Sequence, residues 1–150
     1  MKRHSSLAIL SREHHGALIL AQILKNGAPV YKGLPADLDG KAAYAIRFYK
    51  TELIKHFAEE EQAVIKKIRG VNADLDKLAN EITEEHKELT SSFESIKNAK
   101  DLATHLDKLG WDLQKHIRKE EREFFPLIQE LCDEILLSEI GQALSVNKSA

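Results

Sequence analysis

The amino-acid sequence predicts an all-α protein, an antiparallel up-down four-helix bundle, and three observations lead to that prediction. Glycine and proline concentrate between residues 26 and 35 and are sparse elsewhere, which leaves long stretches free of helix breakers. Apolar residues in those stretches recur at alternating steps of three and four, the period of one helix face. No segment shows the period-two alternation of β-branched residues that is typical of a strand. Four amphipathic helices with mostly short connections pack most simply as a bundle.

The first predicted helix covers residues 5 to 26, and the second covers residues 38 to 69. The stripe of the first consists of Leu7, Leu10, His14, Ala17, Ala21 and Leu24. The stripe of the second consists of Ala42, Ile46, Tyr49, Leu53, His56, Glu60, Val64 and Ile68. We expect each stripe to face a shared core.

The third predicted helix covers residues 73 to 97, with Asn72 as its N-cap, and the fourth begins near Asp101. The stripe of the third consists of Leu75, Leu78, Ile82, His86, Leu89, Phe93 and Ile96. The stripe of the fourth consists of Leu102, Leu106, Leu109, Leu113, His116, Glu120, Phe124, Leu127 and Leu131. Pro126 interrupts the hydrogen bonds of the fourth helix and predicts a kink near Glu123. The polar tail after Ile140 is expected to fray.

Composition narrows the class of protein. The 150 residues suffice for a single domain, 1–150, and the 43% hydrophobic and 31% charged content excludes intrinsic disorder. The formal net charge of -2 disfavours nucleic acid and anionic membranes as partners. Cys132 is the only cysteine, and there is neither a signal-peptide core nor a run of 18 apolar residues, so we expect a cytoplasmic protein. The sequence leaves open whether the chain is a monomer or a homodimer.

Each of the four stripes carries a histidine, and two of them also carry a glutamate four residues later. An H-x-x-x-E pair places both side chains on one face of a helix, about 6 Å apart along the axis. The six residues are His14, His56, Glu60, His86, His116 and Glu120. Counted from the predicted turns, His56 and His86 lie at the same depth, and His86 and His116 differ by about 6 Å. His14 and His56 differ by about six residues, so we expect the first turn of the second helix to overhang the bundle or to belong to the loop. With this adjustment the six side chains are expected to converge on one site.

Two interpretations account for these polar residues in a core. A single stripe histidine is most simply a hydrogen-bonded core residue. Six buried titratable groups at one level are different, because without a metal two carboxylates would need neutralising, so metal binding is the better account. The donors suit Fe, Mn or Zn. Six ligands could enclose one octahedral ion. If both carboxylates bridge, each of two ions instead receives two nitrogens and two oxygens, which leaves positions for water, an oxo bridge or O₂ and favours iron.

The motifs that carry the site resemble the hemerythrin-like family, in particular its HHE cation-binding branch. The resemblance rests on Glu13-His14, His56-x-x-x-Glu60 with Glu61, Glu85-His86, and His116-x-x-x-Glu120-Glu121 followed by Phe125-Pro126. It implies a four-helix bundle that holds a non-haem di-iron centre with histidine ligands and two bridging carboxylates. Zn and Mn are alternatives for the same donors.

The chain departs from the oxygen-carrying hemerythrins at two positions. Thr90 stands where those proteins have a further histidine, and Glu121 stands where they have an aspartate. The resemblance therefore argues against reversible O₂ transport. We expect O₂ to convert the reduced protein to an oxo- or hydroxo-bridged diferric form, and NO to bind the reduced state. Binding or sensing of O₂, NO or iron is the leading function; a di-iron oxidase or peroxidase-type enzyme and a metal-free helical interaction module are the alternatives.

Other polar residues lie near the stripes but are not expected to be the main ligands. His15 is rotated about 100° from His14 and is an alternative ligand of the first helix. Tyr49 shares the face of His56 and either packs in the core or donates a hydrogen bond towards the site. His105 lies far along the axis from His116 and is expected in the core or at the rim, and His4 lies in the N-terminus, which is expected to fray. Three glutamates flank the stripes and are expected in solvent or around the site: Glu59, Glu61 and Glu121.

Overall fold

The structure, a computed structural model, describes residues 2–149, with side chains up to residue 145. The described residues form five helices and contain no strand. The first, third and fifth helices are α1 (Ser5–Leu24), α3 (Ala73–Glu94) and α5 (Glu134–Ser149). The second, α2, joins the consecutive segments Leu38–Phe48, Tyr49–Leu53, Ile54–Glu59, Glu60–Ile65 and Lys66–Ile68. The fourth, α4, joins Leu102–Lys119, Glu120–Phe124 and Phe125–Leu131. The predicted all-α bundle is confirmed.

The four predicted helices correspond to α1 to α4 with small differences at their ends. Asn72 caps α3 as predicted, since its side chain accepts hydrogen bonds from the backbone N–H groups of Asp74 and Leu75 at 2.9 and 3.1 Å. Helix α1 ends two residues early because Lys25 has an extended backbone conformation. Helix α3 also ends early, and a short 3₁₀ turn, Ile96–Asn98, follows it.

The fraying predicted for the tail after Ile140 is wrong for the described residues, because that tail belongs to α5. Leu137, Ile140 and Leu144 are buried at spacings of three and four, and they pack into the same hydrophobic cluster as the start of α1. Burial of this apolar face stabilises the helix. The polar residues near the end of the sequence had instead suggested that the tail frays. Residue 150 lies outside the described residues.

Helices α1 and α4 run antiparallel and approach closely. At one end Arg3 Nη2 donates to the backbone carbonyl of Glu121 at 2.7 Å, and at the other the backbone N–H of Asn26 donates to Asp107 Oδ1 at 2.7 Å. A Cβ atom on Gly110 would lie only 2.7 Å from the backbone oxygen of Ala21. Glycine at this position therefore lets the two backbones come together.

Three π-helical segments interrupt the regular α-helices. Two lie in α2, at Tyr49–Leu53 and Glu60–Ile65, and one lies in α4, at Glu120–Phe124. Each π turn holds an additional residue, so the face of the helix that follows it is rotated.

This rotation corrects the predicted stripe of α4 beyond Phe124. Leu127 and Leu131, which were expected in the core, are only partly buried, whereas Ile128 and Cys132 are buried in their place. The predicted kink near Glu123 coincides with the π segment, but its angle remains a prediction.

The bundle contains two hydrophobic clusters with the stripe histidines between them. One cluster draws on the parts of α1 and α3 that precede their histidines, on the parts of α2 and α4 that follow theirs, and on α5. The other draws on the opposite halves of the same four helices. In α1, for example, Leu10 belongs to the first cluster and Ala17 to the second, with His14 between them. A polar layer thus crosses the middle of an otherwise apolar core.

Candidate metal centre

All six residues that the sequence predicts as metal ligands are buried in this polar layer. The histidines are at most 5% exposed, and both glutamates are fully buried. Glu60 and Glu120 are also the first residues of π-helical segments in α2 and α4. Such segments are frequent at functional sites, because the additional residue changes where the following side chains point.

The six side chains form two groups that share both carboxylates. In each group, one potential ligand atom per residue lies within 4.8 Å of the others. The first group is His14, His56, Glu60 and Glu120, and the second is Glu60, His86, His116 and Glu120. Each group offers two imidazole nitrogens and two carboxylate oxygens, so the arrangement can hold two cations side by side.

Glu60 directs one oxygen to each pair of histidines. Its Oε1 lies 2.9 Å from His86 Nε2, and its Oε2 lies 3.3 Å from His56 Nε2 and 3.7 Å from His14 Nε2. A carboxylate placed in this way has one oxygen for each of two ions.

Glu120 approaches histidines of both pairs with the same oxygen. Its Oε1 lies 2.7 Å from His116 Nε2 and 3.6 Å from His14 Nε2. The close contact with His116 is not aligned as a hydrogen bond, and both of its atoms lack hydrogen-bond partners among the described residues. Glu120 Oε2 and Glu60 Oε2 are likewise buried without such a partner in the described part of the chain.

These unpartnered atoms fit a metal centre. A buried oxygen or nitrogen without a hydrogen bond costs about 1–3 kcal/mol, and more when it is charged. Atoms that crowd together without pointing at one another are expected where their lone pairs converge on a common cation. Borderline nitrogen and hard oxygen donors, with no thiolate among them, suit Fe, Mn or Zn.

An outer ring of four glutamates holds the far side of every histidine in the cluster. Each Nδ1 atom lies 2.7 or 2.8 Å from a carboxylate oxygen of an adjacent helix. The pairs are Glu13 with His56, Glu61 with His86, Glu85 with His116, and Glu121 with His14. Helix α1 thus supports α2, α2 supports α3, α3 supports α4, and α4 supports α1.

This ring orients the imidazoles for ligation. When Nδ1–H donates to a carboxylate, Nε2 carries the lone pair and faces the centre of the bundle. Glu61 and Glu121 were expected around the site or in solvent, and the helix periodicity predicts no role for Glu13 and Glu85. One signal could have identified all four: each is adjacent in sequence to a predicted ligand.

The structure also separates the residues that were set aside. His15 is exposed, while His14 is only 2% exposed and lies in the cluster. Tyr49 donates its hydroxyl to Glu94 at 3.1 Å and stacks on Phe93, so it does not point to the site.

The other three residues set aside lie outside the cluster of six. His105 contacts the backbone oxygen of Ser92 at 2.8 Å, and His4 caps α1. Glu59 is buried, not solvated, and lies 4.0 Å from Lys55.

The carboxylates control the protonation of the histidines in the metal-free protein. Burial lowers the pKa of His14, but the neighbouring carboxylates of Glu120, Glu121 and Glu60 outweigh burial and raise it to about 12. Burial also lowers the pKa of the other three histidines. Neighbouring glutamates outweigh burial and raise the pKa to about 9 in His56, His86 and His116. The carboxylates therefore favour protonation of these imidazoles in the metal-free protein, and a metal must compete with protons in order to bind.

Glu121 provides a test of the outer ring. Its Oε2 contacts both His14 Nδ1 and the Ser11 hydroxyl at 2.7 Å, and its Oε1 pairs with Arg3 at 3.2 Å. We expect Glu121→Ala to weaken metal affinity about 10- to 100-fold, the usual effect of removing a carboxylate behind a histidine ligand. Competition with a chelator measures this. The control is Glu123→Ala, which removes an exposed carboxylate from the same π segment. Equal affinities in the two variants would show that the ring does not support the site.

Comparison with known proteins identifies the family. Residues 5–128 match the family model described as Hemerythrin HHE cation binding domain, and this range includes all six clustered residues and the outer ring. No curated protein and no solved structure matched the chain. Among the described residues, no helix is long and apolar enough to span a membrane. With most of its length covered by that model, the chain belongs to the hemerythrin family of HHE cation-binding domains.

Proposed function

We propose that this metal-binding helical protein holds two iron ions and binds or senses O₂ or NO. His14 and His56 would hold one ion and His86 and His116 the other, with Glu60 and Glu120 bridging. The observation that carries this proposal is the sharing of both carboxylates between two otherwise separate histidine pairs. A site for one octahedral ion would not require two groups of this kind.

Aromatic rings and apolar side chains surround the cluster. Phe57 stacks on the imidazole of His86, with ring centres 4.3 Å apart, and Phe125 stacks on that of His14 at 5.7 Å. The two hydrophobic clusters flank the polar layer on both sides. When bound, a pair of iron ions would supply one-electron redox chemistry and open positions for a small ligand. The outer glutamates hold the imidazoles in place whether or not a ligand is present.

Two alternatives remain distinguishable from this proposal. A metal-free interaction module would have to keep oxygens of Glu60 and Glu120 buried without a hydrogen-bond partner among the described residues, with only the neighbouring imidazoles to offset their charge. An oxidase or peroxidase-type enzyme would need a place for a reducing substrate beside the site.

The lone Cys132, which is buried and unpaired, fits a reducing compartment such as the cytoplasm.

The reaction with O₂ tests the proposed chemistry. Thr90 lies one helical turn after His86 and contacts the Tyr49 hydroxyl, so it provides no further imidazole. Because oxygen donors stabilise the harder ferric ion, we expect O₂ to oxidise the reduced protein and not to remain reversibly bound. The experiment mixes anaerobically reduced, iron-loaded protein with O₂ and then lowers the O₂ pressure. Return of the reduced spectrum without added reductant would contradict this expectation and indicate oxygen carriage.

A further inference from the structure

A cavity of about 300 Å³ lies beside the metal cluster, between α1, α2 and α4. Its inner end is formed by His14, His56, His116 and Glu120. Glu13, the partner of His56, also lines it. The rest of its walls is mostly apolar: Ala17, Phe48, Leu53, Phe57, Leu113 and Ile117. At its outer end lie the exposed side chains of Arg12 and Glu52. The cavity therefore connects the protein surface with the first histidine pair through an apolar chamber.

The size of this chamber exceeds what a diatomic ligand needs. A water molecule takes up about 30 Å³ in the liquid, and O₂ and NO are of similar size. Pockets for small organic ligands begin at about 300 Å³, and a dry apolar cavity of about 150 Å³ suffices to bind benzene. The cavity thus has room for a small organic molecule.

The wall near the entrance contains a glycine in the middle of a helix. Glycine at such a position costs about 1 kcal/mol of stability relative to alanine. A Cβ atom on Gly16 would lie 3.3 Å from the Phe48 ring, and both residues line the cavity. A larger side chain at position 16 would therefore occupy space between α1 and α2 that is now part of the chamber.

The cavity reaches the two metal positions unequally. Both histidines of the first pair line it, but only His116 of the second pair does, and neither His86 nor Glu60 is part of its lining. A molecule in the chamber would lie against the His14 and His56 side of the cluster.

We propose that this chamber binds a small, uncharged, mainly apolar organic molecule, of about the size of a substituted benzene ring, next to the metal position of His14 and His56. The apolar walls supply the binding energy, and the charged residues at the mouth remain in water. The placement beside a metal rests on the proposed function; the binding itself does not. Such a guest is the kind of molecule that the enzyme alternative requires.

Fluorine NMR with fluorobenzene tests this inference on the full-length protein, both as purified and after loading with iron. We expect saturable binding of one fluorobenzene per chain. Gly16→Leu should weaken this binding about tenfold or more, because the added side chain fills the chamber. The matched control, His15→Leu, places the same side chain one residue away on the exposed side of α1 and should leave binding unchanged.

A second variant guards against misfolding of Gly16→Leu. Phe48→Ala widens the same wall, so it should retain fluorobenzene and also admit a larger aromatic probe such as naphthalene. In protein loaded with Fe²⁺ and kept anaerobic, the bound fluorobenzene signal should broaden, because the paramagnetic high-spin Fe²⁺ ions are close.

The outcomes separate this inference from the proposed function. Absence of saturable binding, or equal binding by the Gly16→Leu and His15→Leu variants, would overturn the inference. Binding without broadening, in protein shown to contain iron, would overturn the placement of the guest. Failure of the chain to take up iron would instead overturn the proposed function, while the titration of the protein as purified would still decide whether the chamber binds its guest.

Discussion

Replacement of Glu60 by alanine is expected to reduce the iron content from about two ions per chain to fewer than one, because this side chain serves both metal positions. One of its oxygens lies 2.9 Å from His86 Nε2, and the other lies 3.3 Å from His56 Nε2. The substitution therefore removes one donor from each group of ligands. In contrast, His14→Ala removes a donor from one group only, and about one ion per chain should remain. Elemental analysis after reconstitution with Fe²⁺ measures both effects.

Two further variants make this result interpretable. Glu60→Gln keeps the size of the side chain but not its charge, so iron loss in a variant that remains folded by circular dichroism reports on ligation and not on folding. His105→Ala removes a histidine that contacts the Ser92 backbone oxygen, outside the cluster, and should retain both ions. If Glu60→Ala lost no more iron than His14→Ala, Glu60 would not be shared between the ions.

Removal of iron is expected to invert the dependence of stability on pH. In the metal-free protein, the pKa values of His56, His86 and His116 rise from 6.5 to about 9, so the stabilisation that they contribute is complete below about pH 6.5 and is lost as the pH rises through 9. At the acidic end, burial raises the pKa of Glu121, but hydrogen bonds to His14 and Ser11 outweigh burial and lower the pKa from 4.5 to about 2. That contribution is complete above about pH 4.5 and is lost as the pH falls towards 2. The metal-free protein should therefore be most stable between about pH 4.5 and 6.5.

The iron-loaded protein should behave in the opposite way above pH 6.5. Metal ligation requires neutral imidazoles, so protons compete with iron and the stabilisation by the metal grows as the pH rises. Thermal unfolding at about pH 5.5, 7 and 8.5 should show a difference in Tm between the loaded and metal-free proteins that widens with pH. His15→Gln, which changes an exposed histidine outside the cluster, is the control and should leave both profiles unchanged. A metal-free protein that gained stability between about pH 6.5 and 9 would contradict the charge assignment.

Sequence periodicity predicted most of the buried positions where the helices are regular. The exceptions there are stripe residues that are only partly buried: Ala42, Ile46, Leu78 and Leu102. All six stripe residues of α1 are buried, because this helix keeps α-helical hydrogen bonding throughout. The prediction was wrong in α4 beyond Phe124, where the π segment at Glu120–Phe124 moves burial from Leu131 to Cys132. A π turn depends on the packing of the whole bundle, and a fixed period of 3.6 residues cannot anticipate it. Helix α5 was missed for a related reason, since only its contacts with the bundle identify its apolar face.

The inner and outer parts of the site differed in how far they could be predicted. The stripe rule brings together the six inner residues because a polar side chain on an apolar face has to be compensated within the core. The outer glutamates lie beside the stripes, and each contacts a histidine of another helix, as Glu13 contacts His56. Their roles depend on which helices are adjacent and on how each is rotated. Neither follows from the pattern within one helix.

The central claim, that the six inner residues hold two iron ions, is tested most directly by elemental analysis of the unmodified protein. The full chain is reconstituted anaerobically with Fe²⁺, freed of loosely bound metal by gel filtration, and assayed for iron and zinc against protein concentration. The account predicts about two iron ions per chain, one for each histidine pair. One tightly held zinc ion that excess iron does not replace would contradict it in favour of a mononuclear site. Absence of metal would contradict it in favour of a helical interaction module.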